Sequence, residues 1–99
     1  MEALGIALSG MQGAQTRIAV SAHNVANWLT EDFRPQRVVQ SARSGGGVDA
    51  RVRTEPAPRR PSLEREIVGQ MQASTQYSAS ARVFQVGAEM RGSLVDLLG

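Results

Sequence analysis

The side chains that could do chemistry in this sequence are few and poorly spaced for it. His23 is the only histidine and there is no cysteine, so the donor set for a metal site is missing. Ser21, His23 and Asp32 do not form a recognisable triad, because no strand-turn-helix elbow surrounds the serine. Glu64 and Glu66 are two residues apart. On a helix that spacing sends the carboxylates in different directions, so they are not an acid/base pair. The run Gly45-Gly46-Gly47 lacks a following Gly-Lys-Ser/Thr, and the chain has no lysine. A hairpin turn is the expected role, not a phosphate cradle. Arg51, Arg53, Arg59 and Arg60 make a basic stretch, but Asp49 and Glu55 interrupt it and no aromatic is interleaved for stacking on bases. The net charge is only +2. The expectation is a chain with no catalytic residue, no cofactor, no metal and no nucleic-acid partner. Nor is an enzyme expected, because no constellation in the sequence converges on a reacting atom.

The elements around these residues carry a clearer message. The 99 residues predict one domain. Residues 3–29 read as a helix. Leu4, Leu8, Met11, Gln15, Ile18, Ala22, Val25 and Leu29 recur at four and three residues, and only Gln15 breaks the apolar pattern. That is the seam of a coiled coil. Gly5, Gly10 and Gly13 weaken the helix by roughly 1 kcal/mol each. They also permit close approach of a neighbour, so the helix needs partners.

Residues 30–61 hold all four prolines and the triple glycine. Val48, Ala50 and Val52 alternate with Asp49, Arg51 and Arg53, a period-two strand signal. Residues 36–42 are the expected partner strand, with Ser44 to Gly47 as the turn. Residues 55–61 read as an extended proline-rich linker. Residues 62–98 read as a second helix, with Ser62 as its N-cap, Glu64 and Glu66 in the first turn, and Gly99 as the stop. One of its stripes runs through Leu63, Ile67, Gln70, Ser74, Tyr77, Ala81, Phe84, Ala88, Arg91, Val95 and Leu98. Another holds Val83, Val86, Met90, Leu94 and Leu97. The fold class is therefore mainly α: two long helices pairing as a coiled-coil-like hairpin, joined by a β-hairpin and a proline-rich linker. The second helix offers more apolar surface than the first can cover, which calls for a further partner.

Both ends carry recognisable patterns. The first helix contains Ala3-Leu4, Ser9-Gly10-Met11, Ala14-Gln15, Arg17-Ile18 and Asn24-Val25-Ala26-Asn27, followed by Thr30, Phe33 and Gln36-Arg37. This resembles the N-terminal signature of bacterial flagellar rod, hook and hook-associated proteins. The second helix contains Glu66-Ile67-Val68, Tyr77, Ala81, Glu89-Met90, Gly92-Ser93-Leu94 and Leu97-Leu98, which is similar to the C-terminal signature of that family. Gly45-Gly46-Gly47-Val48 and the segment from Glu55 to Arg60 look like the proximal rod proteins of the C type. Asp32 stands where the family has glycine, and Pro35 where it has a basic residue. The segment after Pro61 is also short for the family.

The resemblance implies a structural subunit of the basal-body rod, assembling helically through its terminal helices and serving motility. It implies export from the cytoplasm by the flagellar type III apparatus without a cleaved signal peptide, and residence in the periplasmic rod. The expected partners are copies of the chain, other axial proteins and the export apparatus, with no direct membrane insertion. The residues expected at the assembly interface are Leu4, Leu8, Met11, Ile18, Val25, Tyr77, Phe84, Met90, Leu94 and Leu98. Asn24, Asn27, Thr30 and Phe33 are the expected turn motif. The short middle segment leaves an alternative open: a rod-protein-like interaction or regulatory protein that binds rod or export components.

Overall fold

A computed structural model of the chain describes the backbone of residues 2–98 and the side chains of residues 3–93. Four elements follow in order: α1 (Glu2–Ala26), β1 (Gln36–Ala42), β2 (Val48–Thr54) and α2 (Leu63–Leu98). The fold is mainly helical, with the two helices packed antiparallel and a two-stranded antiparallel sheet between them in the chain. The molecule is elongated, 62 × 24 × 15 Å.

The helices start and stop for local reasons. Ser62 caps α2: its Oγ accepts the Arg65 N–H at 3.4 Å, and its carbonyl accepts the Glu66 N–H at 3.0 Å. The first helix ends at Ala26, three residues before the expected limit of Leu29. The Trp28 N–H donates to the Val25 carbonyl and the Thr30 N–H to that of Asn27, so the chain tightens into turns. Asn27 Nδ2 also donates to the His23 carbonyl at 3.0 Å. Leu29 leaves the helical stripe and stands exposed.

The hairpin register pairs Gln36 with Thr54 and Ala42 with Val48. The pair Arg43 and Gly47 closes the turn through an N–H···O bond of 3.0 Å. Gly45, Gly46 and Gly47 all have φ near +90° to +106°, a backbone that side chains with a Cβ rarely adopt. The triple glycine is thus a turn device. Asp32 is the one non-glycine residue at positive φ, 55°, among the described residues. Asp is among the residues that tolerate the left-handed region best.

The expected linker does not run free. The Glu55 N–H donates to the Pro35 carbonyl (2.8 Å) and the Arg59 N–H to the Phe33 carbonyl (3.0 Å). The Arg59 guanidinium also grips the Glu55 carboxylate, at 3.0 and 2.8 Å. Residues 55–59 therefore lie back along residues 33–35. Pro35 and Pro61 are buried in this corner.

The seam between the helices differs from the expected one. Ala14 and Ala73 are both 0% exposed. On α1 the inward residues are Ala7, Gly10, Ala14, Arg17, Ser21 and Asn24, and on α2 they are Glu66, Ala73, Gln76, Ser80 and Gly87. The first set recurs at three and four residues, and the second at three, four and seven. Small side chains let the backbones approach. A Cβ on Gly87 would lie 2.8 Å from Leu4 Cδ2, and one on Gly10 would strike Ser80 Oγ. The apolar stripe of α1, expected to form the seam, is rotated out of it. Leu8, Ile18 and Val25 are each more than a third exposed. Bulky side chains at the centre would hold the helices further apart, and the polar bonds between them could not form.

Candidate assembly surface

Three polar clusters fix the relative position of helices and hairpin. At the closed end, Asn24 is 3% exposed. Its Nδ2 donates to the Gln36 carbonyl at 2.7 Å and to Glu66 Oε1 at 2.8 Å, and its Oδ1 accepts the Gln36 N–H at 2.9 Å. One side chain thus ties α1, β1 and α2 together. Ser21 Oγ donates to the Glu66 carbonyl (3.1 Å) and accepts from Gln70 Nε2 (3.0 Å). Nearer the middle, Gln76 Oε1 accepts from Arg17 Nη1 (2.8 Å), and its Nε2 donates to the Gly10 carbonyl (3.0 Å) and Gln40 Oε1 (3.3 Å). Toward the hairpin tip, Ser9 Oγ donates to the Ile6 carbonyl (2.7 Å) and accepts the Val48 N–H (3.1 Å). Buried polar groups with such partners are neutral to favourable, and each lost partner is costly.

These bonds also fix where the sheet sits. Ser9, Gly13 and Asn24 on α1, and Gln76 on α2, all meet the hairpin. With about 3.6 residues per turn, Leu4, Leu8, Met11 and Ile18 then fall on the opposite flank of α1. By the same phase, Tyr77, Ala81 and Phe84 fall on that same flank of α2. The two apolar stripes read from the sequence therefore run side by side along one flank, and the sheet packs on the other side of α1. Among the described residues, no element lies over the apolar flank. Leu8 is 44% exposed and Phe84 37%, while Leu4, Met11 and Tyr77 are half-buried. Val25 continues the stripe at the turn end.

Met90 is not brought to this flank. It follows Val83 and Val86 on the hairpin side, past the start of α1, and is 61% exposed. The side chains of Leu94 and Leu98 lie outside the described residues, as does Gly99. Of the turn residues, Asn24 anchors the hairpin, Thr30 Oγ1 donates to Asn27 Oδ1 (3.2 Å), and the Phe33 ring rests 5.5 Å from the His23 ring. Arg60 lies over Trp28, 5.6 Å from the ring centre.

Ser9, Ser21, Gln40, Glu66, Gln70 and Gln76 were not singled out in the sequence for these bonds. The signal was a second three-four repeat, in small and polar residues, running beside the apolar one. Apolar periodicity outweighs it when no partner is known.

Among the described residues no group of three or more His, Asp or Glu could hold a metal ion, and no helix is long and apolar enough to cross a membrane. The chain matches no protein-family model and no curated protein.

Proposed function

We propose that the chain is a structural subunit of the bacterial flagellar basal-body rod, assembling with copies of itself and with other axial proteins to serve motility. The observation that carries the reading is the open apolar flank. The helices pair through small and polar residues, which leaves Leu4, Leu8, Met11, Ile18, Tyr77 and Phe84 together on a face that no element covers among the described residues. Contiguous apolar surface of this kind marks a protein interface. The signatures at both ends of the sequence give that interface its identity.

The mechanism is packing. A shaft that transmits torque needs many staggered contacts along its length, and two rods of about 38 and 54 Å supply them. The polar clusters keep the flank straight and in one register. Subunits reach the rod by the flagellar export route, and the rod lies in the periplasm. The test is made in the source bacterium. Deleting the gene should abolish swimming and yield basal bodies without a complete rod, and a tagged chain should co-purify with rods. Normal motility in the deletion strain would contradict the proposal.

A further inference from the structure

The outer face of the hairpin is a second surface without a partner. The register sets Arg37 opposite Arg53 and Val39 opposite Arg51, and these side chains are exposed. The Glu55 N–H bond to Pro35 and the Arg43 N–H bond to Gly47 make Arg37 and Arg53 a directly hydrogen-bonded pair, with Cα atoms about 5.5 Å apart. Like charges directly opposite each other destabilise a ribbon. Arg43 is neutralised by Asp49 at 2.7 Å. Arg37, Arg51 and Arg53 have no carboxylate within ion-pair distance among the described residues. A ligand presenting two neighbouring carboxylates would relieve the repulsion, each guanidinium forking onto one of them.

The chain itself carries such a pair. Glu31 and Asp32 are adjacent and exposed in the turn before β1, where the positive φ of Asp32 shapes the bend. Neither makes an ion pair among the described residues. Of the arginines near them, Arg59 pairs with Glu55 and Arg60 lies over Trp28, and Arg34 makes no ion pair with either carboxylate among the described residues. We infer that the Arg37–Arg53 face of one copy receives the Glu31–Asp32 turn of a second copy. The inference rests on the self-assembling reading above and adds a polar contact to it. An interface between two different patches of the same chain can propagate rather than close, and its charges would fix the register between neighbours.

The test is sedimentation of the full chain, with circular dichroism to check folding. R37E/R53E alone and E31R/D32R alone should each weaken self-association by about tenfold. The chain carrying all four changes should return to within about threefold of the wild type. For the unaltered protein, raising salt from about 0.05 to about 0.5 M should weaken association in the same direction. That measurement decides the matter if a variant does not fold. Single swaps that associate like the wild type, or a fourfold variant that stays weak, overturn the inference. They leave the rod reading intact if Leu8→Asp/Phe84→Asp still abolishes association. A wild type that never associates overturns both. Binding of the wild type, but not of R37E/R53E, to phosphatidylglycerol vesicles, with self-association unchanged, would assign the face to a lipid surface and also overturn the inference.

Discussion

Asn24 makes three bonds to two other elements from a buried position. Removing its amide leaves the Gln36 N–H and carbonyl without partners at the strand start, and Glu66 without its donor. Asn24→Ala should destabilise the fold by about 2–3 kcal/mol in urea unfolding. Asn24→Asp keeps the acceptor for the Gln36 N–H. It also sets a second carboxylate against Glu66 and loses both donated bonds, so it should not rescue the loss. By contrast, Asn27→Ala removes two exposed bonds, one donated to the His23 carbonyl and one accepted from Thr30 Oγ1, and should cost about 1 kcal/mol or less. If the two alanine variants unfold at the same urea concentration, the anchoring role of Asn24 is wrong.

Glycines of the two helices divide into two groups. Gly10 and Gly87 sit where the helices touch, against Ser80 and Leu4, whereas nothing lies within 4 Å of a Cβ on Gly69. Gly69→Ala should therefore stabilise the chain by up to about 1 kcal/mol through helix propensity. Gly10→Leu should destabilise it by about 2–3 kcal/mol, because the seam has no room for a branched side chain. Thermal melts of the two variants should move in opposite directions. How much of the architecture was legible follows from the same residues. Both strands, the glycine turn and the start of α2 could be read, since alternation, positive-φ glycines and the Ser62 cap are local signals. The rotation of the helices about each other could not. Two heptad-like repeats coexist in α1, one apolar through Leu8 and Ile18 and one small through Gly10, Ala14 and Ser21. Only tertiary partners such as Gln76 and Glu66 decide which one faces inward. The end of α1 was also missed, because Asn27 closes the helix with a side-chain bond that periodicity does not register.

At the scale of the whole molecule, the sheet and the open flank lie on opposite sides of α1. The polar seam makes the single chain a defined body, and the apolar flank makes it incomplete. A chain of this shape should fold as a monomer at low concentration and associate as concentration rises. Changes on the flank should act on assembly and not on folding, since Leu8 and Phe84 are already partly in water. The seam variants Asn24→Ala and Gly10→Leu should do the reverse and lower stability first.

The most direct measurement is sedimentation velocity on the wild type and on Leu8→Asp/Phe84→Asp, over about a hundredfold range of concentration, with helicity followed by circular dichroism. The wild type should pass from a monomer to large species, burying about 1,200–2,000 Å² per contact if the interface is of standard size. The double variant should keep its helicity and remain monomeric throughout. A wild type that stays a fully helical monomer at every concentration would contradict the central claim, because its apolar flank would then need no partner.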